Sequence, residues 1–370
     1  MKCDLVVIGG GLAGLALAIL EARAGQQVLL CEQKQYPAHK VCGEYISLES
    51  WRFLNLLGLP LNQWDLPQIS RLELTSPRKR IQLPLDYGGF GLSRYKAEAA
   101  LVELAKAAGV AVHTNCKVHE VEGSVGSFIV QASQGNFSTN WVAGSWGRRS
   151  NLYQQAPQAR NYVGVKWHLQ GNLPADLIAL HNFRGGYAGM SRIEDGLSCF
   201  CYLVDSRRLQ EAGKIEMLEA AMMAENQHLR QMRAPLEAVW EKPLTISQVS
   251  FSPKTTAYQG VLLLGDAAGS IAPLAGNGMS MALHAAWLLH CCWESEGRGV
   301  QQPELLYTAY AKAWQKQFAL RTAVSYRIQH LFGQNSLTHA LLTTIEHFPW
   351  LGKNLMRLTH GHDFIPKRQM

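Results

Sequence analysis

The 370-residue chain contains no stretch of eighteen uncharged apolar residues, so no segment is expected to cross a bilayer as a helix. It has no Lys/Arg block either: 35 basic residues stand against 28 acidic ones, and the net charge of +7 is dispersed. That excludes a basic nucleic-acid-binding stripe. It leaves either an ordinary solvated surface or a mild attraction for an acidic partner, such as a carrier protein, a phosphate-bearing ligand or an anionic membrane. The eight cysteines (Cys3, Cys31, Cys42, Cys116, Cys199, Cys201, Cys291 and Cys292) match no zinc spacing, and no metal is expected. The first apolar run is broken by glycine and continues as a fold element, so it is not read as a signal peptide. Thiol usage of this kind predicts a reducing, cytoplasmic setting. There is no internal repeat and no low-complexity segment. At 47% hydrophobic and 17% charged residues, the chain is long enough to bury a large core in one or two domains.

What is present begins with the apolar strand Leu5–Ile8, followed at once by Gly9-Gly10-Gly11-Leu12-Ala13-Gly14. Leu12, Leu15, Ala16 and Ile19 recur at helical spacing up to Gly25, and Gln27 to Cys31 reads as a second strand ending at Glu32. This is a βαβ unit with the spacing G-x-G-x-x-G. Gly9 permits the tight turn, Gly11 lets a pyrophosphate approach the backbone, and Gly14 lets helix and strand pack closely. Glu32 can bond a ribose hydroxyl, and an acid there favours an adenosine without a 2′-phosphate.

The stretch Gly265-Asp266-Ala267-Ala268-Gly269 through Pro273 to Gly276-Asn277-Gly278-Met279 follows the buried strand Val261–Leu264 and opens a helix from about Gly278 to Cys292. A strand, a glycine-rich turn and a helix N-terminus make an anion site. Between the two glycine-rich segments, Leu48–Leu57 reads as a helix, and Ile69–Thr75 and Arg80–Leu85 as strands outside the nucleotide fold. Ser93 is an N-cap for a helix to Ala108, with Arg94 in its first turn. A cation there is disfavoured by the helix dipole, so Arg94 faces either an anionic neighbour or solvent. Ala111–Val121 reads as one strand, Phe128–Ala132 with Phe137–Ala143 as a hairpin, and Tyr162–Val204 as a separate antiparallel sheet. Glu216–Arg230 is helical, Leu244–Val249 a strand, and the remainder helical over Pro303–Leu331, Ser336–Glu346 and Pro349–Thr359.

Taken together, Gly9–Gly14 with Glu32, Lys40-Val41-Cys42-Gly43-Glu44, Ser93-Arg94 and Gly265–Met279 resemble the group-A flavoprotein monooxygenase superfamily. The branch is that of the geranylgeranyl reductases and flavin-dependent halogenases, with a p-hydroxybenzoate hydroxylase-like fold. The resemblance spans roughly residues 3 to 330. It implies an α/β (α+β) architecture: a Rossmann-like FAD-binding domain (1–68, 92–158 and 250–300) interleaved with a mainly antiparallel substrate domain (69–91 and 159–249), and a helical C-terminus (301–370). It implies FAD in an extended form, with the diphosphate over Gly9, Gly11 and Gly14 and the ribose on Glu32. Val118 then lies beside the adenine, Arg94 near the phosphate and ribityl region, and Asp266 on the ribityl chain or diphosphate. Lys40 and Cys42 join the cofactor-binding set. Pro273 would flank the isoalloxazine, and the Gly276, Gly278 and Met279 backbone would face its N1–C2=O edge. Cys42, Tyr187 and Pro273 are the candidates nearest the reacting ring. Cys42 is open to two readings, a buried small residue or a reactive thiol.

Three departures bear on the reaction. Where the family has Asp-Gly tied to pyridine-nucleotide handling, this chain has Trp146-Gly147-Arg148-Arg149-Ser150, whose arginines meet phosphates or are surface charge. Tyr187 of Gly186-Tyr187-Ala188-Gly189-Met190-Ser191-Arg192 matches the reductases, but their Trp and Pro are missing. The W-x-W-x-I-P segment of the halogenases is absent. The resemblance therefore implies an FAD-dependent monooxygenase, acting on an aromatic, polyketide-like or other apolar small molecule through a flavin C4a-hydroperoxide. The alternative is a reductase or dehydrogenase of a C=C or C–C bond. NAD(P)H or a separate flavin reductase would supply electrons, and the substrate is free or carrier-bound. The segment from His347 to Leu358 combines Trp350, Lys353 and Arg357. It reads either as core packing or as an amphipathic helix on a membrane surface.

Overall fold

A computed structural model describes residues 2–148, 150–153, 161–249, 255–272, 274 and 276–365. Strand β1 (Lys2–Ile8) buries side chains on both faces, Leu5 and Val7 in one cluster and Val6 and Ile8 in another. A strand apolar on both sides belongs inside a covered parallel sheet. Helix α1 (Leu12–Arg23) follows, then β2 (Val28–Cys31), parallel to β1 with Leu5 opposite Val28.

The chain then crosses to a second sheet through β3 (Tyr45–Ser47), α2 (Trp51–Leu57), β4 (Gln68–Ser76) and β5 (Lys79–Gly91). It returns through α3 (Arg94–Ala107), where the Ser93 hydroxyl oxygen accepts from the Lys96 N–H at 3.0 Å, the expected N-cap. Strands β6 (Ala111–His113) and β7 (Val118–Glu122) replace the single strand expected over Ala111–Val121. Asn115 sits between them at φ +54°, a left-handed turn that asparagine tolerates and a strand does not. The hairpin of β8 (Phe128–Ala132) and β9 (Gly135–Gly144) stands where the sequence places it.

The second sheet resumes with β10 (Tyr162–Gln170), β11 (Leu177–Phe183), β12 (Gly186–Arg192) and β13 (Ser198–Asp205). After α4 (Ser206–Ala212), the helix expected over Glu216–Arg230 is two, α5 (Ile215–Glu225) and α6 (Gln227–Arg233). Asn226 makes the break: its side-chain oxygen accepts from the N–H groups of His228 and Leu229, and its amide donates to Thr75 and the Asn182 carbonyl. Next come β14 (Glu237–Ala238), β15 (Leu244–Val249), β16 (Ala257–Tyr258) and β17 (Val261–Leu263), followed by α7 (Gly278–Glu296), α8 (Pro303–Leu331), α9 (Asn335–His347) and α10 (Pro349–Thr359).

The first sheet runs β16-β17-β9-β1-β2-β6, and β17, β9, β1, β2 and β6 are mutually parallel. Helices α1, α3 and α7 cover one face, and the β7–β8 region packs on the other. The second sheet runs β14-β10-β13-β12-β11-β4-β5-β3 and is antiparallel except where β11 meets β4. Along β10, Val165, Trp167 and Leu169 face α5 and α6. The opposite face of this sheet meets α8, α9 and α10 around Leu74, Leu83, Leu342 and Ile345. The chain thus alternates between the two sheets before ending in helices. Among the described residues no helix is long and apolar enough to cross a membrane.

One polar knot joins the second sheet to helix α3. Glu44, fully buried at φ +56°, accepts from the Lys166 ammonium, from Nε2 of His168 at 2.7 Å and from the Arg94 N–H at 2.9 Å. Burial alone would raise its pKa, but the His168 hydrogen bond and the Lys166 charge outweigh it and hold the carboxyl below its ordinary value.

Candidate cofactor and substrate site

A cavity of about 770 Å³ runs between the two sheets. Its first end is the turn after β1. Gly9 takes φ +100°, and a Cβ there would stand 2.5 Å from the Ser145 carbonyl oxygen, so only glycine serves. Gly11 lines the cavity, and a Cβ on it would reach to 3.3 Å from the Arg94 guanidinium, closing the gap between backbone and cation. Gly14 does not line the cavity. A Cβ at Gly14 would collide with the Gly9 carbonyl, so its part is the close packing of α1, not contact with a phosphate. Glu32 ends β2 with one carboxylate oxygen accepting from the Gly10 N–H at 2.7 Å and the other from the Lys34 N–H at 2.9 Å. Val118 is buried on the same wall.

The two cations expected near the cofactor share one anion that the sequence reading passed over. Glu98, buried one turn along α3, binds the Arg94 guanidinium, and the Lys40 ammonium reaches it at 2.8 Å. Burial disfavours the charged guanidinium, but Glu98 keeps Arg94 above its ordinary range. One positive charge therefore remains beside Gly11. The i,i+4 spacing of Arg94 and Glu98 was the available signal.

At the middle of the cavity, Gly276 takes φ +66°, and α7 begins two residues later with no acidic residue and no side-chain cap in its first turn. Gly276, Gly278 and Met279 line the wall, so free N–H groups stand at the cavity edge. Asp266 also lines it and accepts from the Arg148 guanidinium at 3.2 Å, which places Arg148 on the cavity wall as well. Pro273 and Arg149 lie outside the described residues. Opposite the α7 turn, Cys42 accepts through its carbonyl from the Cys199 thiol at 3.3 Å, and burial pushes the Cys42 thiol up. A thiol held protonated in this way is a poor nucleophile.

Tyr45 and His360 are residues that sequence reasoning missed. The Tyr45 hydroxyl lies 3.0 Å from the Gly88 carbonyl and 3.3 Å from Nε2 of His360, and both side chains line the cavity. The Tyr45 ring backs onto Gly276, where a Cβ would lie 3.4 Å away. Burial brings the His360 pKa down to about 4, so the imidazole is neutral near pH 7. No sequence signal links residues so far apart.

The far end is apolar. Leu72, Leu83, Ile178 and Leu180 from the sheet face Ile328 and Leu341 from the helices and Phe332 just after α8. Tyr187 lines this part too. Its hydroxyl is buried and has no hydrogen-bond partner among the described residues, and burial raises its pKa well above the usual tyrosine range. A buried hydroxyl left unpaired beside a cavity is an anchor for a ligand oxygen.

These features fit FAD. The open cradle at Gly11, the residual cation, the Glu32 carboxylate and the α7 N-terminus match its diphosphate, ribose and ring edge in that order. Among the described residues no group of three or more acidic, His or Cys side chains could hold a metal. Residues 2–322 match the FAD binding domain family. Digeranylgeranylglycerophospholipid reductase 2 of Methanopyrus kandleri is 24% identical over 99% of this chain and 94% of its own length. Two solved structures share the fold. A geranylgeranyl bacteriochlorophyll reductase-like protein from Thermoplasma acidophilum has a TM-score of 0.76, with 17% identity over 96% of this chain and 99% of that one. The flavin-dependent brominase Bmp2 has a TM-score of 0.79, with 15% identity over 97% and 93%. The chain belongs to the FAD binding domain family, of the group-A flavoprotein monooxygenase class, and is an FAD-dependent oxidoreductase.

Proposed function

We propose that the enzyme saturates a carbon–carbon double bond in an elongated apolar substrate of prenyl type. The observation that carries this reading is the aliphatic lining of the far cavity, where leucine and isoleucine from the sheet meet those of α8 and α9. An aliphatic wall recognises a flexible hydrocarbon by area alone. A relative that aligns along nearly the whole chain is named digeranylgeranylglycerophospholipid reductase 2, which supports the same class.

Bound FAD, reduced by NAD(P)H or a separate reductase, would supply the hydride. Arg94 and the α7 N-terminus hold the cofactor. The apolar walls exclude water, and the Tyr187 hydroxyl can pin an oxygen at the substrate's polar end. Tyr45, whose hydroxyl donates to the Gly88 carbonyl and contacts His360, packs its ring on the Gly276 turn and shapes that wall of the cavity, and the proton that completes the saturated bond comes from solvent.

A second reading is the monooxygenase implied by the resemblance, which needs a dry pocket more than a catalytic side chain. One experiment separates them. Holoenzyme is photoreduced without oxygen and mixed with a geranylgeranyl-chain lipid. The expected result is recovery of oxidised flavin absorbance, with a product heavier by two hydrogens per bond reduced. Tyr187→Phe should raise the lipid concentration needed for half-maximal recovery while leaving FAD content unchanged. Flavin that stays reduced without O₂, and yields an oxygenated product once O₂ is admitted, would overturn the proposal in favour of the second reading.

A further inference from the structure

Helix α10 has two faces with different surroundings. Gly352, Leu355, Met356 and Thr359 point inward and line the cavity. At 100° per residue, Trp350, Lys353, Asn354, Arg357 and Leu358 fall on one outer stripe, and all five are exposed. Trp350 is 59% exposed and Leu358 37%, and Phe348, just before the helix, is 53% exposed. Trp350 and Leu358 stand about 12 Å apart along the axis. Lys353 has no carboxylate within 4 Å among the described residues, and Arg357 reaches Asp86 only at 3.6 Å. Exposed aromatics next to an unpaired Lys353 and a loosely paired Arg357, on a helix whose other side is fixed to the protein, match the chemistry of a bilayer interface: rings enter the acyl boundary and cations meet lipid phosphates.

We propose that the outer face of α10, with the Phe348–Trp350 corner, docks on the surface of an anionic phospholipid bilayer. Docking in this orientation places one wall of the cavity directly behind the lipid-facing helix. Such docking depends on exposure and charge alone, whichever reaction the enzyme catalyses.

The test is co-sedimentation of FAD-loaded protein with phosphatidylglycerol–phosphatidylcholine vesicles and with phosphatidylcholine vesicles alone. Wild-type protein should bind the anionic vesicles at low salt and bind the neutral ones weakly. Phe348→Ser/Trp350→Ser and Lys353→Glu/Arg357→Glu variants should each lower the bound fraction at least about fivefold. Neither pair touches the cavity, so both should keep wild-type FAD content, which serves as the check on folding. Equal sedimentation of wild type and FAD-loaded variants would overturn the proposal. So would wild-type protein that ignores both vesicle types but forms a dimer by light scattering that Phe348→Ser/Trp350→Ser abolishes, since a second copy would then be the occupant.

Discussion

Glu44 is a carboxylate sealed from water between an ammonium, an imidazole and the first N–H of a helix. Such a group holds its surroundings in place because removing one partner leaves the others buried and unmatched. Glu44→Gln strands the Lys166 ammonium, and a loss of about 3–5 kcal/mol in unfolding free energy is expected by urea denaturation. A loss well under that would mean water reaches the site. The segment holding Glu44 stood out in the sequence for Cys42 and Gly43, while the acid's own role was hidden. Its partners Lys166 and His168 lie 122 and 124 positions away. They occupy the alternate positions of a strand whose other face is apolar, a pattern that normally means solvent. What buries them is the 39–44 loop and Trp240, whose approach strand periodicity does not encode. Tyr45 and His360 were illegible for the same reason.

At the scale of elements the sequence was far more informative. Strand, glycine turn and helix at the start, and again around residue 261, are set by local backbone demands, and they appear where the pattern puts them. The misreadings are equally local: Asn115 and Asn226 each turn or cap the backbone inside a run whose hydrophobic period continues across them. The fit of α1 against β1 depends on Gly14. Gly14→Ala forces α1 away from the Gly9 carbonyl, and overpacking of this kind costs roughly 1–3 kcal/mol. The expected outcome is FAD binding weakened by about tenfold or more, read by recovery of flavin fluorescence on dilution. Far-ultraviolet dichroism should stay near wild type. Unchanged affinity would show that α1 and β1 yield without disturbing the cradle.

The molecule as a whole buries histidines that take no charge. Burial lowers His181 to about 3, where it contacts Thr75 at 2.9 Å, and lowers His284 to about 3, where it stacks on Phe364. In the unfolded chain both titrate near 6.5, so the unfolded state binds more protons as pH falls below that value. Stability should be flat with respect to these groups above pH 7. It should decline below about 6.5, each contributing up to about 1.4 kcal/mol per pH unit until the folded value is reached. Glu44 acts lower: its stabilisation holds above the ordinary carboxylate range and is lost as pH falls through its depressed folded value. Melting temperatures from pH 7.5 to 5 test this, and a His181→Gln variant should show a shallower decline. A melting temperature that does not move over that range would contradict it.

Strand β9 lies between β1 and β17, so the N-terminal βαβ unit touches the last strand of its own sheet only through a strand made more than a hundred residues later. During synthesis, a ribosome that has released 250 residues has made the whole antiparallel sheet but only half a berth for the coenzyme. Capture of the coenzyme therefore waits for the final third, and a chain ended at residue 250 is expected to purify without bound flavin.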